Sequence, residues 1–259
     1  IVALGSFGDT SPQVEAAAIE SLAGVLAGVC NVREPDVVVR RFAAKSLLDL
    51  ARTMSALAAA TALPALLGTL AKDSQDQDVE VRSYAASAVG LICKELPEDL
   101  AMRAVAALAR ALALHSGESD ANVRGFAAEA LSQSGKTSQE AAAAAVKALA
   151  GALVGDSKDW DATVRRKSAK ALGSFDNMSP QATSTAAEAL AGALAGDPDM
   201  KVGMLAAWTL RRIYDVSAQA AAAVMEALSG VKELLSTDLV ALVVQFLARG
   251  LRWDVADVR

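Results

Sequence analysis

The sequence has few of the residue types on which many enzymes and disulfide-linked proteins depend. Its 259 residues include one histidine, two cysteines, six prolines and only 4% aromatic residues. A mechanism or metal site that needs several histidines is excluded, because His115 is the only one. Two cysteines, Cys30 and Cys93, are too few for a disulfide framework. The scarcity of aromatic and β-branched residues argues against a many-stranded sandwich or barrel.

Alanine supplies much of the apolar content. It accounts for 59 of 259 residues, the hydrophobic fraction is 53%, and the mean hydropathy is +0.32. Such a chain is too apolar to be disordered, and alanine favours helix. The longest apolar run, residues 239–248, is far shorter than the roughly 20 residues that a transmembrane helix needs. We therefore expect no membrane span, and a soluble intracellular protein with the cytoplasm as its compartment.

The pair Val-Arg recurs about every 42 residues, and each copy opens an apolar helical pattern. The arginines of these pairs are Arg40, Arg82, Arg124 and Arg165, and a fifth copy has Gly203 at the arginine position. Acidic residues precede each pair at two fixed offsets. Six residues before the arginine position stand Glu34, Asp76, Glu118, Asp159 and Asp197. Four residues before it stand Asp36, Asp78, Asp120, Asp161 and Asp199.

A second helical pattern lies between these segments. Each repeat is therefore predicted to consist of helix A, a short acidic turn, and helix B with its Val-Arg pair. We predict a single solenoid over residues 1–259. Its helix pairs lie at about 11–54, 56–95, 97–134, 138–175 and 179–215, and a diverged segment follows at 217–253. That segment is either a sixth pair or an extra helix before a new helix A. We expect both ends of the chain to lie within a repeat of a longer array.

Several predicted helices carry start signals or breakers. Ser179 before Pro180 predicts an N-cap, and Thr137 three residues before Glu140 fits a capping box. Pro64 falls inside a helix A, where we expect it to kink the helix or to mark a later start.

The pattern D-x-D-x-x-V-R-x-x-A-A-x-A-L, followed by a second Ala/Leu-rich helix, resembles the HEAT-repeat family over about residues 1–215. The resemblance implies an all-α fold, a right-handed α-solenoid of stacked antiparallel helix pairs. Ser-Pro-Gln at 11–13 and 179–181 also resembles the Ala-rich HEAT arrays found beside NACHT-type signalling ATPase modules. Because HEAT repeats serve scaffolds, transport receptors, regulatory arms and a few enzymes, the family indicates fold more closely than function.

In HEAT repeats, an acidic residue in the turn within a repeat and an arginine on helix B typically bond from one repeat to the next. The resemblance therefore implies a structural ladder. Its members would be Glu34, Arg40, Asp76, Arg82, Glu118, Arg124, Asp159, Arg165 and Asp197. Gly203 interrupts the ladder at the fifth repeat. The alanines after each Val-Arg pair are expected to let helices approach closely, and Phe42, Tyr84, Phe126 and Leu205 to fill the space beside them.

Candidate catalytic and metal-binding residues are scarce. We expect His115 to cap the end of a helix A and not to act as a base or ligand. The acidic stretch 73–78 lacks the glycine and glutamate of a calcium loop, so N-capping and ladder bonding explain its acids better. The sequence contains no phosphate-binding glycine loop or nucleophile elbow. We predict no catalytic, cofactor-binding or metal-binding residues, and a protein that is not an enzyme.

A basic cluster on helix B is the best candidate for partner binding. Arg166 and Lys170 match Arg41 and Lys45 by repeat position, and Trp208 takes the place of Lys45 in the fifth copy. If the helix-B face is concave, as in HEAT repeats, these residues would form a stripe that binds a protein partner. The alternatives are an ordinary solvated face, and a Trp208 that is buried to compensate for the lost ladder arginine.

The sequence thus favours a protein–protein interaction scaffold or adaptor that binds protein partners along the concave helix-B face. One alternative is a regulatory or sensor arm of a larger signalling protein. A nucleic-acid reader is disfavoured by the net charge of −5 and the pI near 5.0. A HEAT-type enzyme is also disfavoured: a di-iron hydroxylase needs more histidines, and a bilin-attachment lyase leaves no motif to test here.

Overall fold

The computed structural model describes residues 12–27, 36–71, 76–113, 118–135, 137–155, 158–175 and 178–231. These residues form eleven α-helices and a short 3-10 turn at Cys93–Glu95, and no strand occurs among them. The helices are α1 (Pro12–Ala27), α2 (Val37–Leu50), α3 (Ala56–Leu70), α4 (Val79–Ile92), α5 (Glu98–Leu112), α6 (Ala121–Ser134), α7 (Gln139–Leu153), α8 (Ala162–Leu172), α9 (Pro180–Gly196), α10 (Met200–Tyr214) and α11 (Ala218–Val231). Cys30, Glu34, His115 and the end of the diverged segment lie outside the described residues.

The even-numbered helices α2 to α10 carry the Val-Arg positions, and each begins directly after an aspartate. The carboxylate of that aspartate accepts a hydrogen bond from a backbone N–H of the first turn, which would otherwise be unpaired. These N-cap residues are Asp36, Asp78, Asp120, Asp161 and Asp199. Ser55, Ser138 and Ser179 cap α3, α7 and α9 in the same way. The predicted N-capping by the acids and by Ser179 is therefore confirmed.

The capping box predicted at Thr137 is wrong by one residue. Ser138 is the N-cap of α7, and its hydroxyl accepts the N–H of Ala141 at 3.2 Å. The Thr137 hydroxyl instead donates to the carbonyl oxygen of Ser134. Thr137 thus belongs to the end of the preceding helix, and its side chain completes hydrogen bonds there.

Pro64 does not delay the start of its helix. Helix α3 begins at Ala56 and runs through the proline to Leu70. Pro64 lies on the exposed side of the helix. The carbonyl oxygen of Ala60, four residues earlier, loses its helical partner there, and solvent can satisfy it on that side.

The helices pack in two layers. The odd-numbered helices, called A helices below, each contact the next A helix along the chain, and the even-numbered B helices do the same. Each A helix from α1 to α9 also packs against the B helix that follows it. This nearest-neighbour stacking around a continuous core is an α-solenoid, which confirms the predicted all-α fold of stacked helix pairs. None of the described helices is long and apolar enough to cross a membrane.

Alanine occupies much of the interface between the layers. Ala43 and Ala44 of α2 are at most 1% exposed, and the equivalent alanines of α4 and α6 are fully buried. The B helices come closest where even a methyl group would not fit. A Cβ placed on Gly90 of α4 would lie 2.6 Å from the Cα of Ala130 in α6. Small residues therefore act as the spacers that the sequence predicts.

The aromatic residues after the Val-Arg pairs fill the core only in part. Tyr84, Phe126 and Leu205 are half-buried at its edge, whereas Phe42 is 57% exposed, so the prediction is wrong for Phe42. Helical geometry explains why none of the four is fully buried. These residues stand two positions after the arginine position, about 200° around the helix, and therefore lie on the side opposite the ladder.

Candidate partner-binding surface

The arginines of the Val-Arg pairs connect successive repeats through bidentate ion pairs. Nε and Nη2 of Arg40 donate to the two carboxylate oxygens of Asp76 at 2.7 and 3.2 Å. The equivalent pairs are Arg82 with Glu118, Arg124 with Asp159, and Arg165 with Asp197. Each acid lies in the turn of the following repeat, so the series ties one turn to the next. Glu34 lies outside the described residues.

The backbone provides further hydrogen bonds at each step of this ladder. Nη1 of Arg165 donates to the carbonyl oxygens of Asp159 and Trp160 at 2.9 and 2.8 Å. The Asp159 carboxylate also accepts the N–H of Asp161 at 2.8 Å. A buried ion pair offsets its loss of hydration only when such extra bonds satisfy the remaining polar atoms. At this step the buried Asp159 carboxylate thus has a backbone partner as well as an arginine.

The last step of the ladder is shared by two cations. Asp197 binds Arg165 and lies 3.3 Å from Nζ of Lys158. Burial alone would raise the pKa of Asp197, but hydrogen bonds from Arg165, from the Asp199 N–H and from Lys158 outweigh it, so the pKa lies below its ordinary value. Helix α10 has Gly203 at the arginine position and therefore carries no ladder arginine.

The side of each B helix that faces away from the ladder forms an exposed surface. Residues two before, and two, five and nine after, the arginine position share one helical face because they are three or four residues apart. All of them are exposed or half-buried. We call this surface the B face, and it consists of Val38, Phe42, Lys45, Asp49, Glu80, Tyr84, Ser87, Leu91, Asn122, Phe126, Glu129, Gln133, Thr163, Lys167, Lys170, Lys201, Leu205, Trp208 and Arg212; Ser174 lies beyond the end of α8.

An apolar row crosses the first three helices of the B face. It consists of Phe42, Tyr84 and Phe126. In α8 the same position holds Lys167, whose Nζ lies 4.3 Å from the ring centroid of Phe126 and 3.4 Å from Oε1 of Glu129. Gly125 leaves room for this side chain, since a Cβ there would lie 3.0 Å from Cδ of Lys167. The apolar row therefore ends at a cation that covers its last ring.

The five residues predicted to bind a partner lie on B helices but not in one place. Arg41 and Lys45 are on α2, whereas Arg166 and Lys170 are on α8, with α4 and α6 stacked between. Because packed helices are 8–10 Å apart, the two groups are separated by roughly 25–30 Å. Trp208 is on α10, which packs against α8. Arg166, Lys170 and Trp208 therefore lie on neighbouring B helices.

Arg41 is engaged by acids of the next repeat. Its guanidinium donates to both carboxylate oxygens of Asp78 at 3.0 and 2.6 Å and lies 3.2 Å from Glu80. The hydrogen bonds between them raise the pKa of Arg41 and hold the pKa of Asp78 below its ordinary value. An arginine neutralised in this way is the least suited of the five to attract an acidic partner.

The other predicted residues are more open to a partner. Lys45 and Lys170 are exposed. Nε of Arg166 donates to the carbonyl oxygen of Ala162 at 3.2 Å and lies 3.8 Å from the carboxylate of Asp199. Trp208 is half-buried, between the exposed and the buried alternative. The guanidinium of Arg212 lies 5.2 Å from its ring centroid, within the range of a cation–π contact.

Sequence reasoning missed Trp160, which lies in the turn before α8 and is 71% exposed. The guanidinium of Arg124 lies 5.6 Å from its ring centroid. The one signal in the sequence is its repeat position, where other copies have Gln77, Ser119 and Pro198. Because this repeat position lies in a turn, a large apolar residue there is expected to have an exposed side chain.

Metal-ligating and nucleophilic side chains are not arranged for chemistry in the part of the chain that the structure describes. No group of three or more His, Cys, Asp or Glu residues there could hold a metal ion. Burial raises the pKa of the Cys93 thiol to about 12, so this cysteine is protonated at neutral pH.

Solved structures of repeat proteins are similar to this chain. A designed armadillo repeat protein in complex with the peptide (KR)4 has a TM-score of 0.58 at 17% identity, covering 89% of this chain and 98% of that one. An engineered protein has a TM-score of 0.57 at 24% identity, covering 88% and 95%. A computationally designed armadillo repeat protein for modular peptide recognition has a TM-score of 0.54 at 16% identity, covering 89% and 98%.

The fold is an armadillo/HEAT-like helical repeat. No protein-family model and no curated protein matches the sequence. The identities to the solved structures are low, so the similarity concerns the fold.

Proposed function

We propose that the chain is a protein-binding repeat scaffold whose B face binds an extended segment of a partner protein. The observation that carries the proposal is the apolar row of Phe42, Tyr84 and Phe126, which the repeat places at equivalent positions of successive B helices. Phe42 and its neighbour Val38 on the same helix are both more than half exposed. Contiguous exposed apolar side chains on a folded surface are typical of interaction sites.

The repeat spacing fits an extended peptide. Neighbouring helices are 8–10 Å apart, and an extended chain in the polyproline II conformation advances about 3.1 Å per residue with three residues per turn. A segment that crosses the B helices therefore presents about one side chain in three to each helix. The designed armadillo protein bound to (KR)4 supports the proposal, since it shows a peptide complex of a protein with the same fold.

The proposal includes no catalysis by this chain. It is supported by the turn acids, which are engaged by arginines and by backbone N–H groups in the described repeats. A position beside a NACHT-type ATPase module and a cytoplasmic location stay predictions from the sequence. The full-length reading frame would test the first of them.

A peptide-display screen against the purified chain tests the proposal. The best binder from random peptides of about twelve residues is labelled, and its affinity is measured by fluorescence anisotropy. F42A/Y84A is expected to weaken binding at least about tenfold, because buried aromatic anchors carry much of the energy of an interface. The matched control is L57A/M225A, which removes side chains of similar exposure from the A helices α3 and α11. It is expected to leave the affinity unchanged.

Two results would refute the proposal. A screen that yields no binder above background would show that the surface does not bind peptides. Loss of binding in L57A/M225A, with unchanged binding in F42A/Y84A, would place the site on the A helices. Circular dichroism of each variant shows whether it is folded.

A further inference from the structure

Charge is distributed unevenly over the B helices. Helices α8 and α10 together contain seven lysines or arginines and no acidic residue. In contrast, α2, α4 and α6 each place an acid on the B face, namely Asp49, Glu80 and Glu129. The basic end is thus a local feature of a chain with a net charge of −5. Acids lie at the helix ends, where Asp161 and Asp199 cap α8 and α10 and Asp215 follows α10.

Not all seven cations are available to a ligand. Arg165 belongs to the ladder and its side chain is 5% exposed, while Arg211 contacts Asp215 at 2.9 Å. Lys167 covers Phe126 and contacts Glu129. Arg166 lies next to Lys167 in the sequence, and its charge is partly neutralised by Asp199.

Three exposed cations remain on this part of the B face: Lys170 on α8, and Lys201 and Arg212 on α10. Within the described ranges, no carboxylate lies within 4.0 Å of their charged groups.

Helix α10 presents an apolar surface between two of these cations. Its four B-face residues, in order along the helix, are Lys201, Leu205, Trp208 and Arg212. Leu205 and Trp208 are half-buried, whereas Lys201 and Arg212 at the two ends are exposed. Trp208 contacts Arg212 on its own helix and occupies the repeat position that Lys170 holds on the neighbouring helix α8. Such a surface suits a side chain with an apolar stem and a carboxylate at its tip.

From this arrangement we infer that the α8–α10 end of the B face binds the acidic part of the partner segment, a stretch with Asp or Glu side chains about three residues apart. The inference rests on the proposed function and names the chemistry of its ligand. The spacing follows from helices 8–10 Å apart and a segment in the polyproline II conformation, which rises about 3.1 Å per residue and presents every third side chain to the same face. One carboxylate pairs with Lys170 and the next with Lys201 or Arg212, while the carbon atoms between them pack on Trp208.

The two ends of the B face then recognise different parts of one segment. Acidic residues lie over α8 and α10, and apolar residues of the same segment lie over Tyr84 and Phe42. Complementary charge contributes orientation and specificity, and apolar contact contributes most of the affinity. The contact between Lys167 and Phe126 marks the boundary between the two zones.

Fluorescence anisotropy with synthetic peptides of about ten residues tests the spacing. The probe peptide carries two glutamates three residues apart, followed at the same spacing by two leucines. A second peptide has the leucines first and the glutamates last, because the segment fits the surface in either chain direction. Control peptides replace the glutamates by glutamine or place them side by side. The (KR)4 peptide serves as a probe of opposite charge. We expect one order of the spaced probe to bind at least about tenfold more tightly than every control, by a margin that shrinks at high salt.

Charge reversal on the protein locates the site. K170E/K201E is expected to weaken binding of the spaced probe at least about tenfold. The matched control is R103E/K147E, which makes the same change of charge at exposed positions of the A helices α5 and α7. This control is expected to keep the affinity within about twofold. Circular dichroism of both variants confirms that they are folded.

The outcomes separate this inference from the proposed function. If F42A/Y84A weakens the best binder of the display screen but K170E/K201E leaves the spaced probe unaffected, the acidic specificity is wrong and the binding role of the B face stands. Equal binding of glutamate and glutamine peptides would also overturn the inference. If a single-stranded oligonucleotide binds as tightly as the acidic peptide and competes with it, the surface is a general polyanion site and the inference is wrong.

Discussion

Arg124 and Asp159 form a bidentate ion pair that joins two repeats and is almost completely removed from solvent. The two side chains are 0% and 1% exposed, and Nη2 of the arginine lies 3.0 Å from the second carboxylate oxygen. Nη1 of Arg124 also donates to the carbonyl oxygens of Glu118 and Ser119. A single side chain thus connects the turn of its own repeat to the turn of the next.

Removing one partner of this pair is expected to be strongly destabilising. Arg124→Ala leaves the carboxylate of Asp159 buried without its cation, and we expect a loss of about 3–5 kcal/mol in the free energy of unfolding. Lys94→Ala, which removes an exposed contact of 3.4 Å to Glu95, is expected to change it by less than about 1 kcal/mol. Urea unfolding followed by circular dichroism measures both. Similar losses in the two variants would show that the ladder contributes no more than a surface ion pair.

Acid should weaken the structure through the carboxylates whose pKa is lowered. The bond from Arg41 holds the pKa of Asp78 below its ordinary value, so as pH falls the unfolded chain binds its proton first. The contribution of the ionised Asp78 to the free energy of unfolding is present above the pKa of an unfolded aspartate, about 3.9, and is lost as pH falls through the lower pKa of the folded state. The free energy of unfolding should thus decrease steeply below about pH 4. Asp78→Asn keeps an N-cap and should give a shallower decrease in urea titrations at stepped pH, whereas an identical profile would contradict the assignment.

The repeat pattern allows the fold and the helix starts to be predicted, because the same physical requirement recurs in every copy. Asp76 and Asp78 illustrate it. The second lies directly before a helix and caps it, and the first accepts the Asp78 N–H and pairs with Arg40 of the preceding repeat. Two acids at fixed offsets from a Val-Arg pair therefore predict where a helix begins, since each accepts a hydrogen bond from a backbone N–H that would otherwise be unpaired.

The B face is harder to predict because exposure depends on the neighbouring repeats. Phe42 and Phe126 hold the same position, yet Phe126 is covered by Lys167 of the next repeat, whereas Phe42 is 57% exposed. The engagement of Arg41 by Asp78 likewise depends on how α2 stacks on α4. Spacing along one helix indicates which residues share a face, but not which neighbour covers them or neutralises their charge.

Cys93 is expected to report opening of the repeat that contains it. Its pKa of about 12 leaves about one thiol in ten thousand ionised at pH 8, and the side chain is buried. In a Cys30→Ser background, a thiol-specific reagent should therefore react with the native protein at least about a hundredfold more slowly than with the chain in urea. The release of a chromophore from the reagent measures the rate. A similar rate in both conditions would mean that the thiol is accessible in the folded protein.

Two glycines of the B helices should respond in opposite directions to the same substitution. Gly203→Ala adds a methyl group whose nearest neighbour is the carbonyl oxygen of Leu194 at 3.9 Å, so the variant should gain about 0.5–1 kcal/mol from the lower flexibility of its unfolded chain. Gly90→Ala restricts the unfolded chain equally, but its Cβ would lie 2.6 Å from the Cα of Ala130. Helices α4 and α6 would then have to separate, and we expect a loss of about 1–3 kcal/mol. Thermal and urea unfolding of the two variants measure the difference, and a stabilising Gly90→Ala would show that the close approach of the B helices contributes little.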